Sequence, residues 1–351
     1  MIILSFQRYA FFALAAAALF GASTPLAKLL LGEVSPVVLA GLLYLGSGLG
    51  LALLRLVRGI DQRPREAPLT GRDWGWLAGA ILAGGIVAPV LLLWGLSGSS
   101  AAATSLLLNF EGLMTIFVAG VLFREAVGAR VYLAALVMLA GGFVLAYDPN
   151  APLLFSTHSL AIVGACAGWA LDNNLTRRIS ATDPVVIALT KGLAAGTFNL
   201  ALGLALAGAF PAVGPVAGAL TLGFFAYGMS LVFFIYALRH LGAARTAAHF
   251  STAPFIGAAL AVPLLGEPVT PGLIAAVTLM AIATWLVLTE SHLHEHEHGR
   301  LVHVHRHVHD EHHQHDHQGG EGPEPHVHEH AHEPMRHAHP HVPDLHHRHE
   351  H

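Results

Sequence analysis

Three ionisable residues, Glu111, Asp172 and Lys191, stand inside long apolar stretches of the sequence. An ionised side chain at the centre of a membrane costs about 3 kcal/mol or more, so it usually faces a partner or a water-filled cavity. Glu111 could therefore load and release a proton, or bind the cationic group of a substrate. The alternative is a structural acid that is tied to Asn109 or to a neighbouring helix.

Asp172 and Lys191 occupy similar depths in two successive apolar segments, 157–178 and 184–208. Asp172 lies about six residues before the end of the first segment, and Lys191 about seven residues after the start of the second, so a helical rise predicts matching depths. The spacing predicts an ion pair. That pair could be structural, it could be a gate that a substrate opens, or Lys191 could meet an anionic substrate directly.

A further set of polar residues could line a cavity between the first, sixth and ninth apolar segments. Each member has a structural alternative, since Ser and Thr can bond back to their own helix, Asn can join helices, and a buried His or Trp can simply be packed. The set consists of Ser23, Thr24, Trp169, Asn173 and His249.

Residues 289–351 form a tail that holds 23 of the 26 histidines, together with 12 acidic and four basic residues. Neutral imidazole is a good ligand for zinc, nickel, cobalt and copper, so the recurring His-x-His pattern predicts bound transition-metal ions. The candidate ligands are His294, His296, His298, His303, His305, His307, His309, His312, His313, His315, His317, His326, His328, His330, His332, His337, His339 and His341. No other cofactor is required by the sequence.

The composition of the tail, with scattered Gly and Pro, predicts a chain that is disordered without ligand. A metal-binding tail could buffer metal, regulate the membrane domain or load a metal exporter. Two alternatives remain: adventitious metal binding, and pH sensing, because His titrates near pH 6.5.

The whole chain has 351 residues, of which 54% are hydrophobic and 11% charged. Soluble domains have about 25% charged residues. This composition excludes a soluble enzyme and a nucleic-acid binder, and the single Cys166 excludes a disulfide framework. The sequence also lacks a nucleophile–base pair and a nucleotide-binding loop, so we expect no enzyme.

An apolar helix needs about 20 residues to cross a bilayer, and ten segments reach roughly that length. Runs of this length without alternation argue against a membrane barrel. The first segment, next to Arg8, could also be a cleaved signal, but it is long for one and further segments follow at once. The segments are 9–31, 35–57, 73–96, 98–122, 128–147, 157–178, 184–208, 213–237, 241–265 and 269–288.

The positive-inside rule orients these segments. With the N-terminus in the cytoplasm, the cytoplasmic loops and helix ends carry twelve arginines, whereas the other side carries only Lys28. Because ten is even, the tail is then cytoplasmic too. The sequence predicts a multi-pass protein of the cytoplasmic membrane with both termini in the cytoplasm.

Short matches relate the two halves of the membrane region. Ser-Pro-Val-Val at 35–38 corresponds to Asp-Pro-Val-Val at 183–186, and Glu125 corresponds to Glu267. A repeat of five helices is odd, so the second copy must enter the membrane from the opposite side. We therefore predict an all-α protein of two inverted five-helix repeats, 1–148 and 149–288, followed by the disordered tail 289–351.

These features resemble the EamA-type branch of the drug/metabolite transporter superfamily. The resemblance is carried by the plan of five plus five segments, by Gly266-Glu267-Pro268 with its counterpart Glu125, and by the stretch 109–112. In that stretch Gly112 stands where Pro is usual, which leaves open whether the helix breaks there, while Pro254 keeps the Pro in the second half. The resemblance implies a secondary transporter, usually an exporter.

Glu125 and Glu267 precede the last helix of each half, so we expect them to accept backbone N–H bonds and oppose the helix dipole in a structural turn with Pro268. The leading functional hypothesis is an alternating-access exporter of a small metabolite or cation with a metal-responsive tail. A divalent metal exporter and a membrane-anchored metal store or sensor are the alternatives. Partners would be lipid, a small-molecule substrate and transition-metal ions, with no nucleic acid. Gly-x-x-x-Gly patterns such as Gly75–Gly79 and Gly192–Gly196 indicate close helix packing and could support a homodimer.

Overall fold

A computed structural model describes most of the membrane region and four segments of the tail. The described residues are 2–57, 69, 71, 73–123, 129–147, 156–179, 183–207, 210–241, 246, 249–289, 292–298, 301–307, 326–332 and 335–341.

The described membrane region is helical, because its long Leu/Ala/Val-rich runs must satisfy their backbone groups internally in lipid. Its α-helices are α1 (Ile2–Gly21), α2 (Ser23–Leu30), α3 (Pro36–Val57), α4 (Asp73–Ala80), α5 (Ala88–Ser97), α6 (Ala101–Leu107), α7 (Phe110–Phe123), α8 (Ala129–Ala146), α9 (Thr157–Arg177), α10 (Pro184–Ala207), α11 (Val213–Gly223), α12 (Ser230–Leu241), α13 (Ala253–Leu265) and α14 (Pro271–Leu288). Two π-helices, Ile81–Val87 and Phe224–Met229, continue α4 into α5 and α11 into α12.

Eight helical stretches among the described residues are long and apolar enough to cross a membrane. The shorter apolar helix α13 covers the second half of the ninth predicted segment, and α9 covers the sixth with 21 residues that include the polar run 172–174. The ten predicted segments therefore all overlap described helices. The eight stretches are Arg8–Leu30, Pro36–Val57, Asp73–Ser97, Ala101–Val118, Ala129–Ala146, Val185–Leu206, Val213–Phe234 and Pro271–Leu288.

The helices pack as two inverted repeats. α3 packs against α10, α8 against α14, and α6 against α13, so each of these helices meets its own counterpart in the other half. The contact of α1 with α12 is matched by the contact of α9 with α5. Exchange of the two halves maps this set of contacts onto itself, which is the pattern of contacts that a two-fold relation between the halves would give.

Glycine allows a close crossing between α3 and α10. A Cβ on Gly192 of α10 would lie 2.8 Å from the backbone nitrogen of Gly48 on α3, so a side chain there would collide with backbone. The interpretation of close packing holds for Gly192 and is wrong for Gly75, where an added Cβ would meet no atom within 4 Å. Gly266 adopts φ +65°, the left-handed conformation that ends α13 before Glu267.

In the tail, the structure describes four strands, β1 (His292–His298), β2 (Leu301–His307), β3 (His326–His332) and β4 (Met335–His341). β1 pairs with β4 and β2 with β3, both antiparallel. A two-stranded pair is at best marginally stable alone in water, so these ribbons are compatible with a tail that lacks fixed structure without ligand.

Candidate functional site

The fourth and ninth membrane-spanning segments are each interrupted at corresponding positions. The fourth breaks at Leu108 and Asn109 between α6 and α7, and the ninth breaks just before α13. The Asn109 side chain donates to the carbonyl of Leu106 at 2.8 Å, and the Thr252 hydroxyl donates to the carbonyl of His249 at 2.6 Å. Such local side-chain bonds replace helical ones. The break therefore forms without a Pro at position 112.

The first segment is interrupted as well, between α1 and α2, where Pro25 cannot donate a backbone bond to Gly21. The three interruptions meet around a small pocket, which has no room for a water molecule in this conformation. The hydroxyl of Ser105, which is 1% exposed, has no described hydrogen-bond partner there. Discontinuous helices in corresponding positions of two repeats are typical of substrate sites in transporters. The lining residues are Phe20, Gly21, Thr24, Ser105, Leu108, Ala253 and Pro254.

The two π-helices also occupy corresponding positions in the third and eighth segments. A π-turn leaves backbone carbonyls without their helical partners, and such turns are frequent at functional sites. The carbonyl of Gly84 accepts hydrogen bonds from the Tyr44 hydroxyl at 2.7 Å and from the Trp169 indole at 2.9 Å. The amide of Asn199 donates to the carbonyl of Gly85 at 3.0 Å. The buried Trp169 side chain is therefore packed and hydrogen-bonded between neighbouring helices.

The ion pair expected between Asp172 and Lys191 is present. The ammonium of Lys191 lies 2.6 Å from both carboxylate oxygens of Asp172, and Thr176 donates to the same carboxylate at 2.9 Å. Asp172 is 4% exposed. Its carboxylate fills the space that a Cβ on Gly84 would need, so the π-helix and its glycine make room for the acid.

Glu111 lies in the first turn of α7, directly after the break. Its Oε1 accepts a hydrogen bond from Asn173 at 3.0 Å, and the charges of Asp172 and Lys191 act on it electrostatically. The neighbouring helix, rather than Asn109, therefore holds Glu111. Asn109 instead accepts a 3.4 Å hydrogen bond from Thr284 of α14.

Aromatic side chains beside this acid were missed by sequence reasoning. The ring of Tyr227 lies 5.7 Å from that of Tyr44 and 5.8 Å from that of Phe20, and Phe20 lies 5.6 Å from Phe250. The charge of Glu111 acts electrostatically on Tyr44 and Tyr227. The available signal was a tyrosine inside an apolar segment, since a buried phenol usually finds a polar partner.

A clamp of two opposite charges closes the side of the bundle where the third segment turns into the fourth. Lys28 donates to the carbonyls of Leu96, Ser97 and Ser99 at 2.6, 3.1 and 2.8 Å, at the end of α5. The carboxylate of Glu267 accepts from the amides of Ala101 and Ala102 at 2.5 and 2.8 Å, at the start of α6. Each charge opposes the local helix dipole.

The position of Glu267 differs from the expectation in one respect. We expected it to serve its own turn with Pro268, but the described hydrogen bonds run to α6 of the other repeat. The inverted packing brings the loop 266–270 over the start of the fourth segment, a proximity that no local pattern encodes. The side chain of Glu125 lies outside the described residues.

The remaining candidates divide between the pocket and the tail. Ser23 and Thr24 are buried, Ser23 within hydrogen-bonding reach of the Tyr227 hydroxyl and Thr24 in the pocket wall. His249 contributes its carbonyl to the break. Within the described membrane region, no group of three or more His, Cys, Asp or Glu that could hold a metal was found. His309, His312, His313, His315 and His317 lie outside the described residues.

The chain matches a protein family, and it is similar to a transporter of known sequence and to solved structures. The EamA-like transporter family matches residues 7–147 and 157–289. An uncharacterized transporter of Methanothermobacter thermautotrophicus is 25% identical over 263 residues, which cover 71% of this chain and 77% of that protein. A solved crystal structure that covers 80% of this chain and 95% of its own superposes with a TM-score of 0.58 at 19% identity, a likeness of fold.

Proposed function

Since the chain belongs to the EamA-like transporter family and is a membrane transporter, we propose that it exports a small organic cation in exchange for protons by alternating access. The observation that carries this proposal is the environment of Glu111, a carboxylate inside the membrane region. Among the described residues Glu111 accepts a bond from the neutral Asn173 and has no ion pair, whereas Asp172 is neutralised by Lys191. One carboxylate is therefore left to meet a cation.

Aromatic rings near Glu111 support the choice of a cationic substrate. Tyr44 and Tyr227 lie within its electrostatic influence, and Phe20 packs against Tyr227. Aromatic faces attract organic cations, and this attraction grows when water is excluded. The pocket at the helix breaks also lies between the two repeats, where relative motion of the halves would expose it to one side and then to the other.

Proton exchange follows from the single carboxylate. Glu111 can hold either a proton or a cationic group, so binding of one displaces the other. In an exchange cycle, the carboxylate would release the cation on the side where it takes up a proton, and release the proton on the side where it takes up the cation. The clamp of Lys28 and Glu267 would open in the conformation whose cavity faces the side of the membrane on which the clamp lies. A cytoplasmic membrane location, cytoplasmic termini and the direction of export belong to this proposal. The arginine distribution supports the cytoplasmic termini.

The test uses the purified full chain in proteoliposomes with an imposed pH gradient and ethidium as an aromatic cation probe. We expect gradient-driven accumulation by the wild type and at least a tenfold lower rate for Glu111→Gln. Glu33→Gln, which removes an acid from an exposed turn, is the matched control and should transport normally. Full transport by Glu111→Gln would overturn the role of this acid, and no transport of cations by the wild type would overturn the substrate class.

The tail belongs to the proposal as a metal-binding regulator for zinc-like ions, with His-x-His runs as its ligands. The second candidate function, a divalent metal exporter, is favoured by these runs and disfavoured by the described bundle, where no metal-ligand cluster was found. Metal content of cells that express the full chain or a chain ending at Thr289 separates the two. A lower metal content in cells with the full chain than in cells with the truncated chain favours the metal exporter. A higher metal content with the full chain indicates that the tail stores metal.

A further inference from the structure

The strand pairs of the tail set histidine opposite histidine. β1 and β4 pair in an antiparallel register, as do β2 and β3, and both registers match His-x-His runs with each other. The opposed pairs are His292–His341, His294–His339, His296–His337, His303–His330, His305–His328 and His307–His326. All six fall at alternate positions of their strands, so each ribbon has three opposed pairs on one face.

The opposition of histidine to histidine depends on the register of the paired strands. A slip by one residue would move one strand's histidines to the other face and set them opposite residues such as Ala338 and Pro340. The spacers 299–300 and 333–334 both have two residues, which gives both ribbons the same pairing offset. The non-histidine face of the outer ribbon carries Leu293, Glu295 and Glu297 on one strand.

We propose that zinc-like divalent ions bind between opposed histidines and thereby hold the tail in these two ribbons. Opposed residues have Cβ atoms about 5 Å apart, and the next pair on the same face is about 7 Å along the strand. Two successive pairs can therefore offer four imidazoles to one ion, the ligand number of tetrahedral zinc. Three pairs per ribbon provide one such site each, so we expect two tight ions per chain.

Metal would also decide whether the ribbons form. A two-stranded ribbon is marginal without further support, and a ligand that binds only the paired form stabilises it by mass action. The inference rests on the metal-binding tail of the proposed function and specifies its geometry. It predicts an unpaired tail in chelator and a paired tail in zinc, which would turn metal concentration into a change of shape at the end of α14.

The experiment places nitroxide labels on the full chain in detergent and records dipolar broadening while zinc, which is diamagnetic, is added. Val302→Cys with Ala331→Cys labels two register partners about 5 Å apart, whereas Val302→Cys with Ala338→Cys places the second label seven residues further along the chain, at the register partner of Glu295 in the other ribbon. The native Cys166 is buried and should stay unlabelled. We expect broadening with zinc for the register pair alone, and its loss in chelator.

A second variant tests the ligands. His303→Gln with His305→Gln and His307→Gln removes one side of the inner ribbon and should abolish zinc-induced broadening for the labels at 302 and 331. Labels at Glu295→Cys and Ala338→Cys report the outer ribbon, which should still respond.

Zinc binding without broadening of either register pair would show an adventitious ion only and would overturn the ribbon geometry. Equal broadening of the register pair and of the displaced 302/338 pair would overturn it too, since collapse without register gives that result. The labels do not depend on transport, so failure of the cation-export proposal would leave this result unchanged.

Discussion

The ion pair of Asp172 and Lys191 provides the sharpest test of the bundle. At an N–O distance of 2.6 Å, the attraction is about 6 kcal/mol for an effective dielectric constant of about 20. Desolvation of the two groups offsets much of it, but loss of one partner leaves the other charge buried. We therefore expect Asp172→Asn and Lys191→Met each to lower the free energy of unfolding by about 3–5 kcal/mol.

The double variant should behave differently from the sum of the single ones. With both charges gone, no buried charge is unpaired, so Asp172→Asn with Lys191→Met should regain most of the lost stability. Only the 2.9 Å bond from Thr176 is weakened in addition, at a cost of about 1 kcal/mol. Equilibrium unfolding of the purified protein in mixed micelles gives the four free energies of the cycle.

Transport by the double variant then separates a structural pair from a gate. Restored stability with restored ethidium transport would assign the pair to helix packing alone. Restored stability without transport would show that the charges act in the transport cycle. A Lys191→Met variant as stable as the wild type would refute the reasoning, because it would mean that Asp172 can stay buried without its partner.

Three further predictions concern the clamp, the crossing of α3 and α10, and the tail. Glu267→Gln weakens two charge-assisted bonds to α6, worth about 2 kcal/mol together, and should raise the thiol-labelling rate of the buried Ala102→Cys at least tenfold, whereas Glu33→Gln should leave that rate unchanged. Gly192→Ala should destabilise the bundle by about 2–3 kcal/mol in the same unfolding assay, while Gly75→Ala, which meets open space, should be neutral or slightly stabilising. Only neutral imidazole binds metal, so tail-bound zinc should be retained at pH 7.5 and released as the pH falls below about 6.5, where protons compete with the metal, and equilibrium dialysis of the full chain would show this.

Much of the fold could be predicted because a bilayer imposes simple requirements on the sequence of each membrane-spanning helix. A membrane-spanning helix needs an uninterrupted apolar run, so the segments were visible one by one, and an odd number of helices per repeat required an inverted arrangement. The pair of Asp172 and Lys191 was also predictable, because a short loop and a regular helical rise fix two depths at once.

The tertiary structure decided which helices are broken and what faces Glu111. No local pattern predicts a π-helix at 81–87, because the carbonyl of Gly84 is satisfied by Tyr44 and Trp169 from two other helices. The same is true of Glu267, whose partners lie about 165 residues away on α6.

The local composition and spacing of residues were enough to predict ten membrane segments in an inverted repeat, an acid inside one of them and the histidine pattern of the tail. They could not predict the convergence of the three helix breaks, the clamp of Lys28 and Glu267, or the register that sets the tail's histidines opposite each other. These features are contacts between residues far apart in the chain, and their formation depends on the packing of one repeat, or one strand, against the other.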